Sequence, residues 1–316
     1  MSRPSSMQGS PRVTVIMPTY RRPSSLARAL EGLARQEPGF EWELVVIDND
    51  DAPGAKAVFA AHEGTFGGRA RMVRETRRGS AYARNRGIEE ARGDVTAMID
   101  DDVVPAPDWL AKVVGPVLSG RCSGAGGLVL LDPSVERPKW FDEVAVGGYL
   151  ARWDLGAEER QLSEKEFFLT ANCAFDTAKL RASGGFEPSL GPRGGTPLVN
   201  DDALLVRRVR EGGGEVRWVP DAVVFHELPA SRLKRRYFLR RAYAQGRSDW
   251  ILDREALSER KFGATLVATS WLGSELRRRS REGLRRPEVA FHAVCDVART
   301  VGALREAARM TFKRRA

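Results

Sequence analysis

The stretch Val95-Thr-Ala-Met-Ile-Asp-Asp-Asp-Val-Val-Pro105 decides the fold, because an apolar, partly β-branched run ends there in three carboxylates and is closed by a proline. This pattern predicts a buried strand with an acidic tip. Adjacent carboxylates repel one another, so a folded protein keeps them together only where solvent or a cation relieves the repulsion. Side chains alternate along a strand, which predicts that Asp100 and Asp102 share one face and that Asp101 lies on the other.

The acidic triplet alone leaves two interpretations open. Asp100 and Asp102 offer oxygen ligands to Mg²⁺ or Mn²⁺, which such sites complete with water and substrate phosphates. The alternative is a solvated acidic turn whose aspartates cap a helix that begins near Pro107-Asp108-Trp109. The triplet favours neither interpretation, and the rest of the chain has to decide between them.

The chain before the triplet alternates short strands with helices. This spacing predicts an α/β fold with a mostly parallel sheet covered by helices on both faces. In such sheets ligands bind beyond the carboxyl ends of the strands, where Asp48, Asp50 and the triplet fall. We predict strands over residues 13–17 (stopped by Pro18), 43–47, 72–73 and 95–99, and helices over residues 26–33, 52–62 and 81–91.

The pattern after residue 105 is less regular. Glycines and prolines crowd residues 184–197, which predicts a mobile loop beside the site. We predict strands over residues 124–131, 167–175, 215–219 and 222–225, a loop-rich segment over 133–164, and a helix over 201–211.

The composition is that of an ordinary globular protein, with 316 residues of which 42% are hydrophobic and 29% charged. That length predicts one large domain, or one domain with an appendage. Cys122, Cys173 and Cys295 form neither a CxxC pair nor a disulfide framework, which favours the reducing cytosol. We expect residues 1–11 to be a disordered leader. The sequence has no signal-peptide core and no stretch of about 20 uninterrupted apolar residues, so we expect no membrane crossing.

The positive charge is concentrated at one end of the chain. The formal net charge is +9, but residues from Ser231 onward hold 22 Lys plus Arg against 9 Asp plus Glu, a net +13. Residues 1–230 hold 29 against 33, a net −4. A nucleic-acid enzyme more often surrounds its catalytic site with basic residues, so we expect no nucleic-acid partner.

Seven motifs follow one another along the chain: Pro18-Thr-Tyr-Arg-Arg22, Val45-Val-Ile-Asp-Asn-Asp50, Ala83-Arg-Asn-Arg-Gly87, Asp100-Asp-Asp102, Gly184-Gly-Phe186, Asn200-Asp-Asp202 and Val219-Pro-Asp-Ala-Val-Val-Phe-His226. In their order and spacing these motifs resemble glycosyltransferase family 2. The resemblance covers about residues 11–230 and implies the GT-A fold, which is Rossmann-like, and transfer with inversion from a nucleotide-diphosphate sugar, UDP-linked or else dTDP- or GDP-linked. It divides the chain into the leader 1–11, a GT-A domain over 12–230 and a basic helical extension over 231–316.

The resemblance also implies roles for individual residues. It makes Asp201 the catalytic base. The alternative is that Asp201 is only a carboxylate at a helix N-terminus, stabilised there by the helix dipole. It gives Asp102, Asp100 and His226 to Mn²⁺ or Mg²⁺, and Asn200, Asp202 and Asn172 to the acceptor side. The family usually has Glu where this chain has Asn200, which puts the acceptor type in question because an amide still hydrogen-bonds but carries no charge. The nucleotide-sugar residues are Pro18, Thr19, Tyr20, Arg22, Asp48, Asp50, Arg84, Asp100 and Asp101.

The C-terminal extension is predicted to be helical, with basic clusters at residues 232–236, 277–281 and 313–315. One apolar face runs along its last helix, and we expect that face to pack on the protein itself. The other interpretation is attachment to an anionic membrane surface, where each basic residue adds ~1 kcal/mol. We expect the acceptor to be a glycan, a lipid-linked sugar or a small molecule, and the location to be cytoplasmic or peripheral on the inner face of the membrane. The apolar face comprises Ala290, Val294, Val297, Val301, Leu304 and Ala308.

Two other functions remain open from the sequence. A sugar nucleotidyltransferase also joins an α/β sheet to metal-binding aspartates, but it would show a glycine-rich phosphate loop after the first strand, and residues 18–22 contain no glycine. A catalytically silent family member that acts as a binding or scaffold protein is supported only by Asn200 and the extended tail. Such a protein would not hydrolyse a donor.

Overall fold

The computed structural model describes residues 12–193, 196–257 and 287–313. The chain divides into two compact units. The predicted boundary at residue 230 lies close to the change of unit after Glu227, and two earlier segments also join the second unit. The predicted leader lies outside the described residues. The first unit comprises Met1–Leu130, Trp153–Ser189 and Asp201–Glu227, and the second comprises Leu131–Arg152, Leu190–Asn200 and Leu228–Ala316.

The strands and helices follow the predicted order, and each helix predicted before the tail is confirmed. The strands are β1 (Val13–Thr19), β2 (Trp42–Asp48), β3 (Ala70–Arg74), β4 (Val95–Ile99), β5 (Val103–Pro105), β6 (Gly124–Leu131), β7 (Arg160–Gln161), β8 (Asn172–Asp176), β9 (Pro192–Arg193), β10 (Thr196–Pro197) and β11 (Val216–His226). The helices are α1 (Pro23–Ala34), α2 (Gly54–His62), α3 (Ser80–Glu90), α4 (Trp109–Leu118), α5 (Glu143–Val146), α6 (Thr177–Ala182), α7 (Asp201–Glu211), α8 (Arg235–Leu257) and α9 (Pro287–Lys313).

The first unit is built on one sheet, which in the described residues has nine strands in the order β3-β2-β1-β4-β8-β6-β11-β5, with β7 paired to β11. β1 pairs in parallel with β2 and β4, and β2 with β3. β8 then joins β4 in antiparallel fashion, as do β6 with β8 and β5 with β11. The predicted α/β fold is therefore confirmed, and its parallel half carries the ends of β1, β2 and β4 to one edge.

Both faces of this sheet are covered, as the strand pattern predicts. Val15 of β1 packs in one apolar layer with Leu30 of α1. Ile16, the next residue, packs in the opposite layer with Ile88 of α3 and Leu205 of α7. Successive side chains of a strand point to opposite faces, so an unbroken apolar run is what a doubly covered strand requires.

Two of the predicted strand ends are wrong, and both involve a proline. β1 continues through Pro18 to Thr19. Its pairing with β4 ends at Ile16, so at Pro18 only β2 lies alongside. Proline lacks a backbone N–H, and it is tolerated where a strand has a neighbour on one side only. The two strands predicted around Pro220 form the single strand β11, in which Pro220 lies between the pairing to β7 and the pairing to β5.

The predicted strand over residues 167–175 is shorter in the structure. Only β8 is extended, because the backbone N of Asn172 donates to the carbonyl of Leu169 at 3.1 Å and closes a turn. Phe168 is fully buried and fills the space beside Gly126, where an added Cβ would lie 2.0 Å from its ring.

The acidic triplet forms the turn between β4 and β5, so the predicted alternation of its three side chains along a strand is wrong. β5 separates the triplet from α4, and the residue before α4, Asp108, makes no capping hydrogen bond with its side chain. The triplet is therefore not a helix cap, and the turn leaves its carboxylates free to face different partners.

The second unit holds the long helices α8 and α9, which pack closely. An added Cβ at Gly246 of α8 would lie 1.7 Å from the carbonyl oxygen of Arg299 of α9. Trp140, Phe238 and Phe291 meet edge to face in an aromatic cluster, with ring centroids 5.0 to 6.1 Å apart. Neither helix, as far as the chain is described, is apolar enough over a sufficient length to cross a bilayer. The basic cluster 277–281 lies outside the described residues.

The packing of β6 against β11 yields a stability prediction. An added Cβ at Gly127 would lie 2.1 Å from the backbone oxygen of Ala222, so Gly127→Ala should destabilise the fold by about 1–3 kcal/mol. Gly64, which follows α2 and is exposed, has nothing within 4 Å of an added Cβ, and Gly64→Ala should leave stability unchanged or raise it by up to about 1 kcal/mol. Urea unfolding of both variants measures the difference, and equal midpoints would contradict the strand packing described here.

Candidate active site

Asp48 and Asp50 lie side by side at the end of β2, buried to 6% and 4% exposure. Asp48 Oδ1 accepts a hydrogen bond of 3.0 Å from the backbone N of Asp50. Arg21 Nε lies 3.3 Å from both carboxylate oxygens of Asp50, and Arg74 Nη1 lies 3.7 Å from Asp48 Oδ2. Burial raises the pKa of Asp48, against the opposing hydrogen bond and the charge of Arg74. Arginines therefore balance the charge of the first acidic group.

Asn49, between these two aspartates, fixes the loop that follows β3. Its Nδ2 donates to the carbonyl oxygens of Glu75 and Arg77, both at 2.8 Å, and its Oδ1 accepts from the backbone N of Gly79 at 2.9 Å. All polar atoms of the side chain are thus used for backbone contacts. Asn49 is a positioning residue that the sequence reasoning did not single out.

The turn after β1 aims two arginines at different acidic groups. Arg21 has a left-handed backbone, with φ 55°, which is uncommon for a residue other than glycine and is found often at functional sites. Its guanidinium lies 5.0 Å from the ring centroid of Tyr20, which is 39% exposed. Arg22 points the other way, toward the acidic triplet. The predicted nucleotide-sugar motif thus places Tyr20 at the surface of the site.

Asp101 is held by the end of β1 and by Arg22. Thr19 donates its hydroxyl to Asp101 Oδ2 at 2.7 Å, and the backbone N of Tyr20 lies 3.4 Å from the same oxygen. Arg22 Nη1 donates to Asp101 Oδ1 at 3.1 Å and to Asp102 Oδ2 at 2.6 Å. The pKa of Asp101 is raised to about 7, mainly by burial and to a lesser extent by repulsion from Asp102, and the charge of Arg22 opposes that shift. Asp101 therefore links β1 to the triplet.

Asp102 faces His226, the last residue of β11, with Asp102 Oδ2 3.6 Å from His226 Nε2. His226 Nδ1 lies 2.8 Å from the carbonyl oxygen of Glu227. A carbonyl can only accept, so Nδ1 carries the proton in that contact and a neutral ring turns its Nε2 lone pair toward Asp102. This is the hydrogen-bond arrangement of a metal-binding histidine.

Arg84 of α3 joins Asp100, the first aspartate of the triplet, to the start of α7. Its Nη2 donates to Asp100 Oδ1 at 2.8 Å and its Nη1 donates to Asp201 Oδ2 at 3.0 Å. The Arg84 side chain is 9% exposed and its guanidinium lies 5.4 Å from the ring centroid of Phe186. Burial lowers the pKa of Arg84, but the charges of Asp100 and Asp201 outweigh it and raise that pKa. One guanidinium therefore holds the predicted base beside the triplet.

Asp202 follows Asp201 and is held by Thr170, which donates its backbone N to Asp202 Oδ1 at 3.2 Å and also bonds through its hydroxyl. The pKa of Asp202 is raised to about 7, mainly by burial and to a lesser extent by repulsion from Asp201. Asp202 therefore lies next to the predicted base, in the same unit.

The two asparagines predicted for the acceptor side have different surroundings. Asn172 is fully buried in the sheet, where its Oδ1 accepts from Trp109 Nε1 at 2.7 Å and its Nδ2 donates to the carbonyl of Ala222 at 2.7 Å. It is a structural residue of the core and does not line the site. Asn200 belongs to the second unit, where its side chain bonds to Asp249 and Gln245 at 2.9 and 2.8 Å.

The sequence reasoning missed Arg21, Arg74 and Thr170. Arg21 lies inside the motif Pro18-Thr-Tyr-Arg-Arg22, but the sequence reasoning gave it no role of its own. Arg74 reaches Asp48 because the register of β2 and β3 sets these two residues opposite each other, and no local pattern reveals that register. Thr170 lies in the segment that turns out not to be a strand.

A divalent cation fits the Asp102 and His226 pair. One carboxylate oxygen and one imidazole nitrogen face each other, and hard cations commonly take a small number of protein ligands and complete their shell with water and phosphate. Asp100, the third predicted ligand, turns to Arg84 instead. Within residues 12–193, 196–257 and 287–313 no three His, Cys, Asp or Glu side chains are grouped to hold a metal ion.

Comparison with known proteins gives a consistent picture. A model of the family described as Glycosyl transferase family 2 matches residues 14–180. A glucosyl-dolichyl phosphate glucuronosyltransferase of Haloferax volcanii is 28% identical over 255 residues, which cover 77% of this chain and 77% of that protein. Glycosyltransferase AglE of the same organism is 25% identical over 78% of this chain and 77% of that protein.

Among solved structures, mannosyltransferase PcManGT from Pyrobaculum calidifontis has a similar fold. It superposes with a TM-score of 0.59 and 22% identity, over 94% of this chain and 88% of that chain. The likeness confirms the expected GT-A fold.

Proposed function

The chain belongs to glycosyl transferase family 2 and is a glycosyltransferase of that family, and we propose that it moves a sugar from a nucleotide-diphosphate donor to an acceptor hydroxyl with inversion. The observation that carries this proposal is the contact of Arg84 with both Asp100 and Asp201. It brings a carboxylate suited to proton abstraction next to the strand-end carboxylates that suit a nucleotide and a cation. Group transfer needs both kinds of group within reach of one sugar.

The acidic groups at the strand ends support the donor side of the proposal. Asp48 at the end of β2 can accept hydrogen bonds from a base or ribose, and the exposed Tyr20 and Arg22 of the β1 turn border the triplet. PcManGT, the solved structure of similar fold, is described in complex with GDP-Man and Mn²⁺. We therefore propose a nucleotide-sugar donor for this chain and leave the base, UDP, dTDP or GDP, to a binding screen.

Asp102 and His226 would hold the Mn²⁺ or Mg²⁺ ion. When bound there, the ion supplies Lewis-acid stabilisation of the negative charge on the departing diphosphate. The chain's own contribution is to fix Asp102 through Arg22 and to fix the ring of His226 through the carbonyl of Glu227. A metal-ligating imidazole is commonly oriented by such a second hydrogen bond.

Asp201 takes the acceptor's proton in this proposal. Its place at the first position of α7 and its contact with Arg84 favour the ionised form, which a base requires. The acceptor oxygen then attacks the anomeric carbon from the face opposite the diphosphate, which inverts the configuration. Asp202, held by Thr170, lies beside the proposed base, and we assign it to the acceptor side.

A lipid-linked sugar is the acceptor class with the most support. The Haloferax volcanii relative is named for a glucosyl-dolichyl phosphate substrate. A glycan or a small molecule is the alternative. Transfer assays that use both soluble glycosides and polyprenyl-phosphate sugars separate these acceptor classes.

We predict that Asp102→Ala abolishes metal-dependent nucleotide binding, because it removes the carboxylate that faces His226. Calorimetry with UDP, dTDP and GDP, each with Mn²⁺ or with EDTA, measures the effect. Asp108→Ala, an exposed aspartate before α4, is the matched control and should behave as the unmodified protein. Unchanged Mn²⁺-dependent affinity in Asp102→Ala would contradict the assigned metal site.

We predict that Asp201→Asn lowers sugar transfer by at least ~10²-fold, the scale for loss of a general base, while nucleotide binding survives. Asp221→Asn, whose side chain is 76% exposed, should retain full activity. NMR of the product reports the anomeric configuration, and an α-linked donor should give a β-linked product. Near-normal transfer by Asp201→Asn or a retained configuration would refute the mechanism, and absence of donor hydrolysis by the unmodified protein would favour a silent family member.

A further inference from the structure

The helix α9 packs through a different face from the one that its sequence predicts. Among the side chains of α9 that the structure describes, Phe291, Cys295 and Glu306 are buried, at 8%, 0% and 0% exposure. Gly302 lies on the same side, where an added Cβ would be 2.0 Å from the carbonyl oxygen of Tyr243 of α8. The close contact with α8 therefore uses small, polar and aromatic residues, and the regular aliphatic face of α9 takes no part in it.

The aliphatic face is exposed. We call Val294, Val297, Val301 and Leu304 the valine stripe; they are 49%, 45%, 51% and 46% exposed. In the described part of the chain only six large hydrophobic residues are exposed, and four of them form this stripe. Ala308, which is also exposed, extends the valine stripe by one turn. The side chain of Ala290 lies outside the described residues. The expectation that this face packs on the protein itself is therefore wrong for the stripe.

Spacings of three and four residues place the valine stripe along one side of α9. Isolated exposed apolar residues are ordinary, whereas a contiguous row marks a surface that something covers. The stripe is too narrow for a membrane-spanning helix, since Glu306 and Arg309 occupy the other side of the same segment. An apolar side and a polar side on one long helix suit a position in the plane of a bilayer surface.

The charge of this part of the chain favours an anionic partner. Residues from Ser231 onward carry a net +13. Lys234, Arg235 and Arg236 are exposed at the start of α8, and Arg235 lies 5.5 Å from the ring centroid of Phe291, one turn before the stripe. Arg305 is exposed next to Leu304, within 5.9 Å of the ring of Tyr243. Basic residues therefore flank the apolar row at both ends.

A second copy of this chain fits the same surface less well. Two copies would bring like charges together, which opposes association. Protein interfaces draw most of their binding energy from Trp, Tyr and Arg, with Val and Leu under-represented. Four half-exposed aliphatic side chains also supply far less than the roughly 800 Å² per partner of a stable interface. Aliphatic residues flanked by arginines suit lipid chains below anionic headgroups.

We propose that the valine stripe docks α9 onto an anionic lipid bilayer, with the stripe among the upper acyl chains and the flanking arginines at the headgroups. This contact holds the enzyme at the surface where a lipid-linked acceptor resides. Binding to the bilayer requires neither donor nor acceptor. A failure of this proposal therefore leaves the proposed function unaffected, and a failure of the proposed function leaves this proposal unaffected.

Co-sedimentation of the full chain with vesicles tests the proposal. Vesicles of phosphatidylcholine with phosphatidylglycerol should bind the unmodified protein, and vesicles of phosphatidylcholine alone should bind it much more weakly. Val301→Asp should lower the partition coefficient at least tenfold, because the introduced charge cannot enter the acyl region and repels the anionic surface. Val301→Leu should bind as well as the unmodified protein or better.

Val144→Asp is the matched control, since Val144 on α5 of the same unit is 86% exposed and the substitution adds the same charge. It should bind vesicles as the unmodified protein does. Melting curves of both aspartate variants should match that of the unmodified protein. Equal loss of binding in the two variants, or equal binding by both, would overturn the proposal. So would a dimer in light scattering that Val301→Asp dissociates without any vesicle binding, since the stripe would then join two copies.

Discussion

The buried guanidinium of Arg84, held between Asp100 and Asp201, is the interaction on which the site depends. It joins α3, the turn after β4 and the first residue of α7. A charge this deeply buried is stable only with its partners, and removing one partner of such a pair commonly costs 3–5 kcal/mol. The same contact that stabilises the fold therefore fixes the distance between Asp201, the proposed base, and the acidic triplet.

The rest of the first unit repeats this principle of acidic groups balanced by nearby arginines. Arg21 and Arg74 face Asp50 and Asp48, and Arg22 faces Asp101 and Asp102. These arginines lie inside the acidic edge of the sheet, in the part of the chain that carries a net −4. The positive excess lies in the second unit, where it suits a surface contact. In the first unit the basic residues balance buried carboxylates, and in the second unit we propose that they face an anionic surface.

The sequence allowed prediction of what depends on local pattern. Apolar runs located the strands up to β4, and Asp201 fell on the first residue of α7 as expected. Contacts set by register and by turns could not be predicted. The triplet forms a turn, so Asp101 and Asp102 both bond to Arg22. The side chain of Asn172 makes its hydrogen bonds inside the sheet. The amphipathic pattern of α9 indicated an apolar face but carried no information about what covers it.

The most direct test of this account is a double-mutant cycle for Arg84→Met and Asp201→Asn, followed by urea unfolding. If the two side chains share one buried contact, their effects on the free energy of unfolding should be non-additive by at least about 1 kcal/mol. Arg86→Met, which removes a partly exposed pair with Glu90 on α3, should be additive with Asp201→Asn to within about 0.5 kcal/mol. Additive effects of Arg84→Met and Asp201→Asn would contradict the account.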